Sequence, residues 1–332
     1  MISVVIPLYN KAHTIVDTLH SVMCQTHTDF EVIIVNDGST DNGVEVIKQN
    51  FNDPRIRIIN QENQGVSVAR DRGVEEARSN YIAFLDADDK WHPEYLRIMN
   101  TAISRYPNAA LYSSGGLIYN ADGSVSYRLA KKHLNKIVTC DFFENPHVYI
   151  HTSAAIINKP FFKLTDGSPR GMSRLEDFAL FFQIALKGAF VYIGLPISKY
   201  VGGVPGQATS NMLENKLETL KCFCFLYNFI SEKNRQAQSK SLKAFFRYAL
   251  RHNFKYCIKT RDYNSLDFYL TNLSNDCLSL FHKWELISYK RKRRTLSILW
   301  IDTTKIFWRM SGKPVVNENI DLRKVDSQYL NW

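Results

Sequence analysis

At 332 residues and 45% hydrophobic, the chain can bury a sizeable core, and its length suits one large domain with an appendage. The formal net charge of +10 is uneven: residues 211–332 hold 22 Lys and Arg against 11 Asp and Glu, whereas residues 1–210 hold 20 against 21. Such a basic block seeks anionic lipid, nucleic acid or an acidic polymer. The six cysteines (Cys24, Cys140, Cys222, Cys224, Cys257 and Cys277) lack metal-type spacing, Cys222-x-Cys224 being too short to invoke zinc, and read as reduced core thiols of a cytosolic protein.

In chain order, Ile2–Ile6 is a run of β-branched residues closed by Pro7, the pattern of a buried parallel strand. No basic leader segment precedes it, so no signal peptide is expected. Ala12–Gln25 places Ile15, Leu19 and Val22 at helical spacing. Glu31–Val35 is a second strand, ending in a turn-and-cap sequence, Asn36–Asp41. Arg55–Ile59 and Gly65–Arg78 are the third strand and helix. Tyr81–Leu85 is a fourth strand that runs straight into Asp86, Asp88 and Asp89, with a helix over Pro93–Arg105 behind it.

Alternating strands and helices with short links predict an α/β fold with a mainly parallel sheet. Ligands of such sheets sit at the carboxyl ends of the strands. Pro7–Asn10, Asn36-Asp37-Gly38 and Asp86–Asp89 all lie there, so three polar tips converge on one rim. Clustered acids at the end of a buried strand repel one another unless a positive charge joins them. Asp86 and Asp88, two apart at an extended strand end, can point the same way and suit a hard divalent cation that also binds phosphate. The competing reading is an acidic turn with an Asp cap for the next helix. No G-x-G-x-x-G and no P-loop sequence occurs, so dinucleotide and P-loop readings lose their main support.

Beyond Pro107 the pattern changes. Ala109–Ser113, Leu117–Tyr119 and Ser124–Leu129 read as short strands, and His147–Asn158 as extended. Ser168–Ser173 is a breaker-rich loop suited to covering a substrate. Arg174–Leu186 is a helix opened by Glu176-Asp177, Phe190–Gly194 and Ile197–Val201 are strands, and Gly202–Gly206 is a hinge. The apolar stretch Phe178–Ile197 is too broken by Lys187, Gly188, Gly194 and Pro196 to span a membrane. From Leu213 to Met310 the spacing is helical, with one stripe of Leu217, Leu220, Cys224 and Tyr227 and another of Leu242, Phe245, Phe246, Ala249 and Leu250. The basic run Lys290–Arg294 precedes Leu296, Leu299, Trp300, Thr303 and Phe307 on one face, which describes a helix lying on an anionic bilayer. A solvated charge run capping a bundle is the alternative. The tail from Gly312 is polar and expected to be poorly ordered.

Five stretches, in this order and spacing, make residues 1 to about 205 resemble the family 2 inverting glycosyltransferases of GT-A fold. They are Ser3–Asn10, Val35–Asp41, Asn63-Gln64-Gly65 with Ala69-Arg70, Phe84–Asp89, and Glu176-Asp177. The basic helical remainder is similar to the tails of bacterial cell-surface polysaccharide transferases. The resemblance implies a GT-A domain over 1–210, with a nucleotide-binding half to about 106 and an acceptor half from about 107, followed by a helical, membrane-associating region over 211–332.

It also implies roles. Pro7, Tyr9 and Asn10 frame the nucleotide of a UDP-sugar, with the Tyr9 ring beside the base and Ala87 close by. Asp37 contacts the uracil or ribose, or else caps a helix. Arg70 sits near the diphosphate or orders the acids, or else forms a structural ion pair. Asp86 and Asp88 hold Mn²⁺ or Mg²⁺, which stabilises the leaving diphosphate. Asp89 orients them or caps the next helix. Asp177 is the general base that deprotonates the acceptor hydroxyl, and Glu176 touches the donor or acceptor sugar. His151 and Trp91 are further candidates to face the sugar.

Two features depart from the family's commoner pattern. Asn36 stands where many members have a second acid, and no Arg or His lies between Gly202 and Ser210 to reach the diphosphate. The expected activity is hexosyl or N-acetylhexosaminyl transfer to a lipid-linked or cell-surface glycan, of O-antigen or capsule type, at the inner face of a bacterial plasma membrane. Two other readings compete with it. A nucleotidyltransferase wants a glycine-rich first loop, which Pro7–Lys11 lacks. A non-catalytic membrane or nucleic-acid binder predicts a degraded acidic rim, yet Asp37, Asp86, Asp88 and Asp177 are all present, and nucleic acid is not expected as a partner.

Overall fold

The computed structural model describes residues 1–172, 175–203, 222–226, 240–273, 275–299, 303, 320–330 and 332. Arg174, most of the expected hinge and closing segment (204–210), and the stripe residues Leu217, Leu220 and Tyr227 lie outside them. So do Trp300 and Phe307 of the expected membrane face.

Strands β1 (Ile2–Leu8), β2 (Phe30–Asp37), β3 (Ile56–Gln61) and β4 (Tyr81–Phe84) alternate with helices α1 (Ile15–Met23), α2 (Gly43–Asn50) and α3 (Val66–Glu76). They pair in parallel in the order β3-β2-β1-β4. Val4, Ile6, Val32 and Ile34 enter one apolar cluster while Val5, Ile33 and Val35 enter the other. Successive side chains point to opposite faces and both faces are covered, which is why these strands read as unbroken apolar runs. Strand β1 runs through Pro7 rather than ending before it. Strand β4 pairs with β1 only as far as Val5, so Pro7 lies past the last partner on that side.

The second half is mixed rather than mainly parallel. After β5 (Lys90–Trp91) and α4 (Tyr95–Arg105) come β6 (Leu111–Tyr119), β7 (Val125–Arg128), β8 (Ile137–Cys140), β9 (Ala155–Asn158) and β10 (Phe190–Val201). Strand β9 enters antiparallel between β4 and β6, β10 runs parallel to β6, and β7 and β8 flank them antiparallel. Two pairs of short expected strands are each one long strand, β6 and β10; the register shift in β10 falls at Pro196. The segment expected to be extended over 147–158 is instead α5 (Pro146–Tyr149), a 3-10 turn Thr152–Ala154, and only then β9.

Helices α6 (Lys159–Phe162) and α7 (Glu176–Ala185) follow, and α7 lies between the sheet and the helix Lys240–Thr260. Phe182 of α7 meets Phe245 at 5.7 Å and Phe246 at 5.4 Å between ring centroids. The predicted stripe Leu242, Phe245, Phe246, Ala249 and Leu250 is buried throughout. That helix is tied to Lys283–Lys290 by a buried pair: Arg251 Nε and Nη2 each donate to Glu285 at 2.6 Å, and Tyr289 adds a third bond.

The loop 168–173 is not a free cover in its first part, because Ser168 Oγ donates to Asp71 Oδ1 at 2.7 Å and Arg170 pairs with Asp71 at 3.0 Å. The tail also differs from expectation. Residues 320–330 and Trp332 return to the sheet, with two 3-10 turns at Leu322–Lys324 and Ser327–Tyr329. Tyr329 packs its ring 5.0 Å from that of His92, and the Trp332 indole donates to the Pro196 carbonyl at 3.2 Å. The aromatic residues of this otherwise polar tail supply the apolar area that a composition average hides.

Candidate active site

The first rim segment follows β1. Asn10 stands in the left-handed region at φ 52°, and its Oδ1 accepts from the Thr40 and Asp41 amides at 2.8 and 3.3 Å. Asp41 in turn accepts from Ala12 N at 2.8 Å. The loops after β1 and β2 are thus laced together. Beside them the Tyr9 ring is 47% exposed, free for a planar ligand to stack on.

Asp37, at the end of β2, is 3% exposed. Its Oδ1 accepts from Gln61 Nε2 at 2.8 Å and Gln64 N at 2.9 Å, and its Oδ2 from Gly65 N at 2.9 Å. It caps no helix of its own strand; it folds the loop after β3 onto the rim. Gly38 makes room for this, since a Cβ there would stand 2.7 Å from Asn63 N.

The acids after β4 are not on an extended strand end. The strand stops at Phe84, and Asp89 N donates to the Asp86 carbonyl at 3.0 Å, closing a turn. Even so, Asp86 and Asp88 are partly open while Ala87 and Asp89 are buried. The Ala87 carbonyl accepts from Thr14 Oγ1 at 2.8 Å and Thr18 Oγ1 at 3.0 Å, which pins the turn to α1. Lys11 pairs with Asp88 Oδ2 at 2.7 Å.

Arg70 joins this turn to α7. It is 4% exposed, donating through Nη2 to Asp86 Oδ1 at 2.9 Å and through Nη1 to Glu176 Oε1 at 2.6 Å. Gly73, one turn further along α3, allows the approach, because a Cβ there would come within 2.2 Å of Val5 Cγ1. Helix α3 therefore sits tight on β1, with Arg70 on the same face. Burial alone would depress the guanidinium, but Asp86, Glu176 and Asp177 together raise its pKa, so its charge is fixed. Burial raises the pKa of Asp86 and of Glu176, each helped by a neighbouring carboxylate and opposed by Arg70.

Helix α7 begins after Leu175, a non-glycine residue at φ 61°. Such a conformation is costly and tends to be kept where function needs the chain held. Asp177 then accepts from its neighbour Phe178 N at 2.6 Å through Oδ1, and from Thr152 Oγ1 at 2.5 Å through Oδ2.

One expectation is corrected, and two more of the expected residues have partners of their own. Trp91 does not face a sugar: it is 1% exposed, stacks on Tyr95 at 4.1 Å, and donates its indole N–H to the Ser153 carbonyl at 2.6 Å. The half-buried His151 bonds the buried Ser198 hydroxyl through its ring at 2.8 Å, and burial pulls its pKa down to about 3. Asp89 is buried and caps no helix; its alternative role, orienting the neighbouring acids, is left open, with Ser153 Oγ shared between Asp89 and Asp86 N. It accepts from Ser153 Oγ at 2.5 Å and Val201 N at 3.3 Å, and burial, reinforced by Asp86 and Asp88, holds its pKa well above the usual carboxylate range.

Sequence reasoning missed Thr152, Ser153 and Arg128. Arg128 donates to the Ile150 carbonyl at 3.1 Å, and burial depresses its pKa against the pull of Asp177. No spacing rule marks a hydroxyl pair in a 3-10 turn, or one basic residue in a short strand.

Residues 3–164 match the family model described as Glycosyl transferase family 2. These residues belong to that family. Relatives include the "uncharacterized glycosyltransferase YibD" of Escherichia coli strain K12, 47% identical over 106 residues, which are 31% of this chain and 30% of that protein. Chondroitin synthase of Escherichia coli is 29% identical over 202 residues, 58% of this chain and 28% of that one. The chain thus spans less than a third of either relative. Among solved structures, S. aureus TarS 1–349 in complex with UDP-GlcNAc superposes with a TM-score of 0.72 at 16% identity, covering 96% of this chain and 94% of that one. The fold of this chain is therefore of GT-A type, as in TarS 1–349.

Proposed function

We propose that the chain is an inverting glycosyltransferase that moves a sugar from a UDP-sugar to a hydroxyl of a lipid-linked or cell-surface glycan, with Asp177 as general base. The observation that carries this reading is the Arg70 bridge. One buried guanidinium ties the Asp86–Asp89 turn to the start of α7, so donor-side acids and an acceptor-side carboxylate share one rim. The names of the relatives support it, as does the UDP-GlcNAc in the TarS structure.

In this reading Tyr9 stacks on the base, Asn10 and Asp37 hold the loops that frame the nucleoside, and Asp177 takes the proton from the acceptor hydroxyl as that oxygen attacks the anomeric carbon. Glu176, fixed by Arg70, lies beside the sugar. The residues given roles in this reading all lie within 1–203, and the described helices over 240–299 follow them in the chain.

Asp86 and Asp88 fit a divalent cation. They are hard oxygen donors two apart at the turn, and each pairs through one oxygen with a cation, Asp86 with Arg70 and Asp88 with Lys11. Two carboxylates with water and phosphate oxygens is the pattern of Mg²⁺ or Mn²⁺. When bound, the metal supplies the charge that stabilises the departing diphosphate.

The test is turnover of a panel of nucleotide-sugars with and without Mn²⁺, for wild type and Asp88→Ala. One UDP-sugar should turn over with metal only, and Asp88→Ala should lose about 10²-fold or more. Metal-independent turnover at wild-type rate by Asp88→Ala would sink the metal assignment. Pyrophosphate release from a nucleoside triphosphate would favour the nucleotidyltransferase reading.

We also propose that the basic helices rest on an anionic membrane. Residues 290–296 are exposed without a break, and Trp284, Leu296 and Leu299 are 65%, 44% and 62% exposed. Among the described residues no helix is long and apolar enough to cross a membrane. Cations beside exposed Trp and Leu are the elements of interfacial binding. Flotation with phosphatidylglycerol vesicles should carry the protein up, and replacing Arg291, Arg293 and Arg294 by Gln should leave it at the bottom. Equal flotation of the two, or equal binding to neutral vesicles, would refute the charge argument.

A further inference from the structure

The 3-10 turn Thr152–Ala154 carries adjacent hydroxyls that touch both halves of the site. Thr152 Oγ1 donates to Asp177 Oδ2 at 2.5 Å. Ser153 Oγ accepts from Asp86 N at 3.1 Å and donates to Asp89 Oδ2 at 2.5 Å. The turn itself is anchored: the Ser153 carbonyl receives the Trp91 indole at 2.6 Å, the Ile150 carbonyl receives Arg128 at 3.1 Å, and His151 is fastened to Ser198 at 2.8 Å. Thr152 and Ser153 are 5% and 0% exposed.

Asp177 needs such an anchor. It is the second residue of α7, a helix that begins after a left-handed Leu175 and has no side-chain N-cap. Its local bond, from Phe178 N to Oδ1, comes from the same helix and cannot relate the carboxylate to the acids after β4. The Thr152 hydroxyl can, because the next residue in the chain holds those acids.

We infer that Thr152 is a positioning residue for transfer, fixing the rotamer of Asp177 and its distance from the donor-side turn through the Thr152-Ser153 pair. This rests on the reading of Asp177 as general base. A rigid base earns its rate from being held near the attacking oxygen, and a hydroxyl bonded to one carboxylate oxygen leaves further lone pairs on that side chain for the acceptor.

The experiment compares wild type, Thr152→Val, Thr152→Ser, Asp177→Asn and the double variant Thr152→Val with Asp177→Asn. The readouts are kcat and KM for transfer from the active UDP-sugar, UDP affinity by calorimetry, and Tm. Thr152→Val keeps the volume but loses the hydroxyl. It should lower kcat about 10- to 100-fold, the scale of one hydrogen bond to a charged group, with donor KM and UDP affinity within about twofold. Thr152→Ser should return kcat to within about threefold of wild type. In the Asp177→Asn background the valine should cost nothing further, because the two act as a unit.

Wild-type kcat in Thr152→Val, a serine variant no better than the valine, or losses that simply multiply in the double variant would each overturn the inference. If the valine variant fails to fold, Thr152→Ala against Thr152→Ser makes the same comparison. Full activity of Asp177→Asn would instead remove the base assignment, which separates the two failures.

Discussion

Asp177→Asn is expected to lower sugar transfer by about 10²- to 10⁴-fold while leaving UDP affinity within about twofold of wild type. The amide keeps the size of the carboxylate and an oxygen able to accept from Thr152 or Phe178, so the start of α7 holds its shape. It cannot accept the acceptor's proton. In the proposed reading other residues, at the ends of β1, β2 and β4, bind the nucleotide in the ground state, so the loss is expected on kcat rather than on donor binding. Calorimetry with UDP beside initial rates of transfer checks both halves. Transfer at wild-type rate would move the base elsewhere, and lost UDP binding would mean that the variant damages the rim.

Arg70→Met should be the most destabilising change at the site, by about 3–5 kcal/mol near neutral pH, because it leaves two carboxylates without their buried cation. Its pH dependence has a definite sign. Burial already raises the pKa of Asp86 and Glu176, and Arg70 is the group that opposes it. Without Arg70 both rise further. A carboxyl whose folded pKa lies above its unfolded value contributes stability below the unfolded pKa and loses it as pH rises through the folded one. The deficit of Arg70→Met against wild type should therefore be largest at pH 7.5 and shrink towards pH 4.5. Urea unfolding of both proteins at these two pH values measures it. An equal deficit at both would show that Arg70 acts by packing its stem and not by charge. Transfer should be lost in this variant as well, since the bridge between the two sides of the rim is gone.

The first half of the sheet was largely legible because its signals are local. β-branched runs buried on both faces, Gly65 opening α3, and Asp37 at one strand end and Asp86–Asp89 after another each follow from propensity and period, and the parallel pairing of β1–β4 follows from the alternation, whereas their order β3-β2-β1-β4 does not. The second half of the sheet was harder. Strand β9 pairs antiparallel with β4 and β6, elements far from it in sequence, and Thr152–Ala154 turns where its composition reads as extended. Tertiary pairing overrides local preference in such short pieces.

By itself the sequence determined which residue types end the strands, where the acids cluster, and that the positive charge is gathered after residue 210, because these depend only on neighbours along the chain. Only the tertiary structure decided which of them meet. Arg70 reaches Asp86 and Glu176 because Gly73 lets α3 close on β1. Thr152 reaches Asp177 because β9 and α7 are brought to one end of the sheet. Trp91, Asp89 and His151 turned inward because burial found them partners in Ser153, Val201 and Ser198. A hydrogen bond between residues distant in sequence is set by packing, and packing is decided by the whole chain.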